Sequence, residues 1–404
     1  MRVLAVLLLA ATPPITAAIS DATFRHRFIA REMPGRNMGF GTPALADFDK
    51  DGDLDFAVSN RGDGKLYWFE QRSADNWVRH EAGELALGQL GCVTIDADGD
   101  GWIDIVIGGY WFRNPGDPRT RPFVRHEYDP AIMREIHDMV VADIDGDGRE
   151  DIVAMGDADG CFWYSIPPGS ATGEWPRTLI TFAVRNDLAD IHSGLNPNGV
   201  ADLDGDGDRD VLLTDRWYEN TQRGTRWIEH KLLFGKIGPW GFSSRSWIKD
   251  LDGDGDADIV VADSDGQNSG LAWIENRDGK MRNHRVHWLA NAAPGTRGSF
   301  HSLRLADFDL DGDDDIVVVE QEDPSILPQG ATPRWFVWEN TSVGQDVRFT
   351  ERVIFDGRLG GHDVIIGDID GDGDTDIASK IWSVWSGNAN GGKVHIDWFE
   401  NRTR

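Results

Sequence analysis

The stretch Asp143-Ile144-Asp145-Gly146-Asp147-Gly148-Arg149-Glu150-Asp151 decides the fold. It reads D-x-D-x-D-G-x-x-D and is one of seven copies, the others beginning at Asp47, Asp96, Asp202, Asp250, Asp307 and Asp368. Every copy keeps aspartate at positions one, three, five and nine and glycine at position six.

Four carboxylates crowded into one tight turn repel one another unless a cation sits between them. Alternating aspartates with a backbone carbonyl suit Ca²⁺, a hard ion that takes 6–8 oxygen ligands. Glycine at position six gives the turn a conformation that a Cβ hinders. The expected ligand sets are Asp47, Asp49, Asp51, Asp53 and Asp55, then Asp96, Asp98, Asp100, Trp102 and Asp104. Next come Asp143, Asp145, Asp147, Arg149 and Asp151, and Asp202, Asp204, Asp206, Asp208 and Asp210. The last three sets are Asp250, Asp252, Asp254, Asp256 and Asp258; Asp307, Asp309, Asp311, Asp313 and Asp315; and Asp368, Asp370, Asp372, Asp374 and Asp376. Position seven contributes its backbone carbonyl, so its side chain is free to vary, Trp102 and Arg149 included. With about seven such ions, their role is expected to be structural.

These loops are not EF-hands, which place glutamate at position twelve between two helices. Position twelve is Ala154 after Asp143 and Val261 after Asp250. The flanks, such as Val140-Val141-Ala142 and Ile152-Val153-Ala154, are short β-prone runs, so each loop joins two strands.

Successive motifs lie 47 to 61 residues apart, a period that marks solenoids, propellers and arrays. Each unit reads as four strands. Strand A precedes the loop and strand B follows it. Strand C is aromatic and often ends in Glu-Asn, as in Trp217-Tyr218-Glu219-Asn220; strand D starts aromatic, as in Trp227-Ile228-Glu229-His230. Seven such units predict an all-β, seven-bladed propeller with four-stranded blades. Residues 24–30 read as a strand D with no strand A before it, and residues 394–401 as a strand C with no D after it. The N-terminal strand should therefore complete the last blade and close the ring, leaving no open sheet edge.

The chain has 404 residues and a net charge of −29, of which seven divalent ions would offset about half. That acidity disfavours nucleic acid and anionic membrane as partners. Seventeen Trp and eighteen Phe are ample for a core. Residues 1–18, with Arg2, the apolar run Val3 to Ala11 and small residues up to Ala18, read as a signal peptide. Residues 19–404 form the propeller, expected to be secreted or periplasmic, with no membrane span. Cys92 and Cys161 fall in different repeats and read as two buried thiols.

The loops and their flanks resemble the FG-GAP/VCBS repeat family, whose repeats build the propeller of integrin α-chains and of many exported bacterial proteins. The resemblance covers nearly all of residues 19–404. It implies Ca²⁺ between the first two strands of each blade. It does not fix a function, since the family holds adhesins, lectins and polysaccharide-processing enzymes.

Function is expected on the face away from these loops, where the D–A and B–C connections meet at the channel mouth. Six positions before the first motif aspartate, three repeats carry His137, His301 and His362, two of them followed by Asp138 and Asp363. The fourth repeat has Asn196 there with His192 nearby; the fifth has Ser244 and then Arg245. Equivalent positions in a ring converge on its axis. Three imidazoles with carboxylates suit one additional divalent transition metal, or proton abstraction by a neutral histidine. The bland alternative is that each histidine locks strand A to its own blade, as in WD-repeat propellers. Insertions at 319–334 and 379–394 bring Glu320, Glu322, Trp382 and Trp385 to this face, and Trp240 and Arg245 extend the rim. His80, His126 and His230 sit on outer strands and read as structural.

Two readings follow. In one the protein binds carbohydrate or a protein partner through this face. In the other it is a saccharide lyase or dehydratase with His137, His301 and His362 as the catalytic set. The unequal histidine distribution argues for one site rather than a lectin's repeated sites.

Overall fold

The computed structural model describes residues 19, 23–33, 39–85, 88–132, 135–156, 159–169, 172–182, 191–232, 234, 237–238, 241–290, 295–323 and 325–404. The signal-like segment 1–18 and Trp240 lie outside the described residues.

The described residues fold into seven sheets of four sequential antiparallel strands, the blades of a propeller. Blades 1 to 6 span residues 44–84, 92–127, 138–181, 200–231, 244–290 and 304–355. Blade 3 shows the unit: Asp138–Ala142, Asp151–Gly156, Gly160–Tyr164 and Arg177–Thr181, with Val140 opposite Val153 and Ala154 opposite Phe162. Blade 7 consists of His362–Gly367, Asp376–Lys380 and Ile396–Asn401, completed by the N-terminal strand Phe24–Ala30. There Phe24 pairs with Asn401 and Phe28 with Asp397, so the ends of the chain close the ring. His26 Nε2 lies 2.9 Å from the buried Asp397 Oδ1 across this seam. Two extra pieces depart from sevenfold regularity: Pro197–Asn198 pairs in parallel with the inner strand of blade 5, and Ile237–Gly238 pairs with Gly241–Phe242. Cys92 and Cys161 are buried and unbonded.

The core lies between blades rather than within them. Seven apolar clusters each join two neighbouring blades, from Trp68 with Phe112 at the first interface to Trp335 with Phe399 at the sixth. Strand C supplies the largest buried rings, Trp68, Trp111, Trp217, Trp338 and Trp398 among them. This is why that strand is aromatic in the sequence: it must fill the wedge to the next blade, and truncating such a ring typically costs about 3–5 kcal/mol.

The Glu-Asn ending of strand C has an equally local cause. The asparagine backbone N–H donates to the ninth aspartate of its own loop, as Asn220 does to Asp210 Oδ1 at 2.8 Å. Its side-chain amide reaches back to a carbonyl in the preceding blade's loop. Asn114 donates to Phe48 O, Asn220 to Ile144 O, Asn276 to Leu203 O and Asn401 to Phe308 O. Gln71 does the same to Ile369 O across the closing seam. The inner strands of neighbouring blades run side by side around the channel.

The Asn276 side chain makes three hydrogen bonds: its amide donates to Leu203 O of the preceding blade and to Ala257 O of its own, and its Oδ1 accepts the Met281 N–H. Asn276→Leu is expected to lower unfolding free energy by about 2–3 kcal/mol, through buried groups left unpaired. The exposed Asn283→Leu should stay within about 0.5 kcal/mol. Urea denaturation of both variants checks this; equal effects would contradict the staple.

Candidate functional site

On one face stand the seven acidic loops. In each, the first aspartate turns back to accept backbone N–H groups, as Asp143 does from Asp147 and Gly148 at 3.1 and 3.0 Å. The ninth aspartate is buried and uses one oxygen for the N–H of position two; in six of the blades, all but the third, the other oxygen accepts from the end of strand C, as with Phe48 and Gln71 on Asp55. Burial pushes Asp55, Asp210, Asp315 and Asp376 up to about 8, and Asp104, Asp151 and Asp258 up to about 7. Carboxylate oxygens of Asp47, Asp49 and Asp55 lie within 4.8 Å of one another, and so do those of Asp96, Asp98 and Asp104 and of Asp143, Asp145 and Asp151. The third-position oxygens Asp49 Oδ1, Asp204 Oδ1, Asp309 Oδ1 and Asp370 Oδ1 are buried with no hydrogen-bond partner. An orphaned buried carboxylate oxygen is costly without a cation, so these donor sets fit a hard divalent ion. The loops are not identical. Arg119 pairs with Asp49 and Asp51 in the first, and Arg113 with Asp98 and Asp100 in the second.

The opposite face holds a cavity of about 270 Å³ at the channel mouth. D–A connections supply Leu90, Glu135, His137, His192, His301 and His362; B–C connections supply Arg61, Asp265, Gln321, Asp323 and Trp382. Histidines from blades 3, 6 and 7, with His192 ahead of blade 4, thus meet in one place. His301 and His362 stack at 3.7 Å between centroids, His137 lies 4.4 Å from His192, and His362 stacks on Trp382 at 5.4 Å. His301 and His362 meet from neighbouring blades and His137 meets His192, so the histidines contact one another and not only their own blades.

Behind the cavity wall runs a buried network of charge. Asp138 Oδ1 lies 2.7 Å from His137 Nδ1, and its Oδ2 accepts the N–H groups of Gly194, Leu195 and Asn196 at 3.0 to 3.1 Å. Asn196 therefore acts through its backbone. Arg245 Nη2 lies 2.9 and 3.0 Å from the two His301 ring nitrogens and 3.2 Å from Asp363 Oδ1. Lys380 Nζ donates to Asp363 Oδ2 at 3.0 Å. Asp265 Oδ2 is 3.5 Å from His301 Nε2 and accepts from Ser243 Oγ. Burial alone would raise the Asp363 and Asp265 carboxyls, but the cations and histidines around them hold both well below the usual range. Burial, with His301 and Lys380, drives the His362 imidazole well below its ordinary value, so it is neutral. For His301, burial and Arg245 are outweighed by Asp265 and Asp363, and its value rises.

Of the residues singled out in the sequence, His137, His192, His301, His362 and Trp382 line the cavity, and Arg245, Asp138 and Asp363 support it. Trp385 is half-buried in its own loop and does not line the cavity. Glu320 is tied to Arg334 at 2.8 Å, and the buried Glu322 accepts the Ser383 N–H at 2.8 Å. Asp265, Gln321 and Lys380 escaped the sequence reading. They follow or end strand B, which also points at the mouth, so ring equivalence applied to that position would have found them. Asp265 and Asp363 adopt φ of 57° and 60°, a left-handed backbone that non-glycine residues rarely take outside functional or strained sites. The outer histidines are structural: His80 stacks on Trp68 and pairs with Glu70, and His230 does so with Trp217 and Glu219. His126 stacks on Trp111.

Three segments, residues 47–107, 96–154 and 250–318, match the FG-GAP-like repeat model. With the seven blades around them, they support a propeller built with FG-GAP-like repeats. Among curated proteins none matches the chain. Solved structures with similarity include the V. cholerae biofilm matrix protein Bap1, at 13% identity, covering 90% of this chain and 69% of that one, with a TM-score of 0.29. The six-bladed fucose-recognising lectin of Aleuria aurantia matches at 13% identity over 80% of this chain and 97% of its own, TM-score 0.41. NanB with Optactamide matches at 10% identity over 91% and 70%, TM-score 0.44. Likeness at this level carries no argument about what this chain binds.

The Asp138 carboxyl shows how the network should respond to pH. Burial would raise it, but His137, Arg245 and the Asn196 N–H outweigh burial and hold it far below the ordinary carboxylate range. A depressed carboxyl confers its full stabilisation above the unfolded value of about 4 and loses it as pH falls toward the folded value. Asp138→Asn is therefore expected to cost about 3 kcal/mol at pH 7, with the gap to wild type shrinking below about pH 4. Chemical denaturation against pH checks this; a gap constant with pH would contradict it.

Proposed function

We propose that this protein is an exported binding propeller that is stapled by calcium on one face and takes a carbohydrate ligand at the channel mouth of the other. The observation that carries the ligand site is the convergence of His137, His192, His301 and His362 with Trp382 on one cavity of about 270 Å³. Ligand pockets run roughly 300–1,000 Å³, so this one suits a single sugar ring rather than a long chain. Trp382 supplies an apolar platform for the ring face, and the imidazoles with Asp265, Gln321 and Asp323 supply donors and acceptors for hydroxyls. The ring positions are non-equivalent, which favours one site over seven. The calcium reading rests on the orphaned third-position oxygens and the clustered carboxylates. Seven ions held by aspartate sets of this kind act on stability by mass action. A protein ligand on the same rim is the other outcome of the binding test.

One observation favours a second reading, a saccharide lyase or dehydratase at the same place. His362 is buried and neutral and its Nδ1 has no hydrogen-bond partner, so that nitrogen is free to accept a proton. An elimination at this site would yield an unsaturated sugar that absorbs in the ultraviolet.

Two measurements test the binding reading. Chelation with EGTA is expected to lower the melting temperature by well over 10 °C, with excess calcium restoring it; an unchanged melt would remove calcium from the account. On a glycan array the protein should retain a defined set of saccharides, and Trp382→Ala should weaken that binding at least tenfold with the melt preserved. An array with no saccharide bound, or a Trp382→Ala variant that binds as wild type does, would contradict the site.

A further inference from the structure

We infer that His301, His362 and Asp363 form a site for one divalent first-row transition ion, of a kind distinct from the acidic loops. The inference deepens the proposed ligand site and rests on that cavity being the functional one. Its geometry comes from three buried side chains, His362 and Asp363 at the start of the inner strand of blade 7 and His301 in the connection leading into blade 6. One ligand atom from each lies within 4.8 Å of the others. The His301 and His362 rings stack, 3.7 Å apart with 22° between planes, which brings both imidazoles to one point of the cavity wall. His362 Nδ1 is buried and has no hydrogen-bond partner, which is costly for an imidazole unless something else fills the position. Two imidazoles and a carboxylate with open positions suit Zn²⁺, Mn²⁺ or Fe²⁺, whereas Ca²⁺ prefers the all-oxygen loops opposite.

The surroundings are those of a ligand set rather than of a loose cluster. Asp363 is fixed by Lys380 on Oδ2 at 3.0 Å, while its Oδ1 lies 3.4 Å from His301 Nδ1 and its Oδ2 3.9 Å from His362 Nε2. Such an outer partner is what orients a ligating carboxylate. The space between His301 and Asp363 already attracts positive charge, since Arg245 Nη2 stands 2.9 to 3.2 Å from both. Arg245 has a second acceptor at hand: its Nη1 is 3.8 Å from Asp138 Oδ1, and its Nε is unpartnered. An incoming ion can therefore displace the guanidinium toward Asp138 without leaving it unpaired. The ion would then sit on the cavity wall, open to a sugar hydroxyl or carboxylate at the face that carries Trp382.

The probe is Co²⁺ titrated into the calcium-saturated full-length protein, followed by visible absorption and by metal analysis after desalting. One equivalent is expected to be retained, with the d–d bands of nitrogen-ligated cobalt. His362→Gln and Asp363→Asn should each lower its affinity at least tenfold while the calcium-dependent melt stays intact. Should one of these variants fail to fold, the other, or competition of Zn²⁺ against Co²⁺ in the wild type, gives the same readout. Trp382→Ala is expected to keep the cobalt while losing saccharide, which separates this inference from the binding reading. No retained cobalt, or retention unchanged in folded His362→Gln and Asp363→Asn, would overturn the site even if saccharide binding holds.

Discussion

The ring depends on what happens at the ninth aspartate of each acidic loop. This carboxylate is removed from water, yet it accepts one backbone N–H from its own loop and, in six of the blades, another from the end of strand C. It ties the inner half of the blade to the outer half at the point where the loop folds over. The residue that donates from strand C then extends its amide to the preceding blade. Asn114, Asn220, Asn276, Asn401 and Gln71 carry this link at five of the interfaces. A short polar motif repeated along the chain thereby links five of the seven interfaces around one face, beside the apolar wedges between blades. The result is a concentration of negative charge at each blade, which a bound cation would neutralise.

The two faces obey different rules. On the acidic face the seven blades repeat nearly the same construction, and the variations, such as Arg113 and Arg119 lying over the first two loops, are local. At the channel mouth the sevenfold pattern breaks. Blades 1 and 2 contribute Gly41 and Leu90 where blades 3, 6 and 7 contribute histidine, and Arg245 enters next to the equivalent position in blade 5. A symmetric scaffold that converges its strand starts on an axis needs few changes to build one asymmetric cavity. The buried charges there are balanced in pairs and triples: Asp138 by His137 and backbone N–H groups, Asp363 by Lys380 and Arg245. Such a network is expensive to maintain for stability alone, which is why it points to ligand chemistry.

Much of this was legible in the chain. The fixed aspartates and glycine, the aromatic strand C and the unpaired strand at residues 24–30 carry the blade, the count and the closure, because each is a local answer to a local constraint. The convergence of His137, His301 and His362 followed from ring geometry alone. Other features were not legible. Nothing in the sequence distinguishes Trp382, which lines the cavity, from Trp385, which packs within the same insertion. The left-handed backbone at Asp265 and Asp363 is a tertiary compromise with no local signal. Asn196 looked like a polar side chain for the rim, but its contribution is a backbone N–H to Asp138.

The most direct measurement is a crystal structure grown with calcium, with ions located by their anomalous scattering. The account predicts an ion in each of the seven loops, between the carboxylates of positions one, three, five and nine, with the third-position oxygens turned onto it. Loops without ions, their carboxylates held by arginine, lysine and backbone alone, would contradict it.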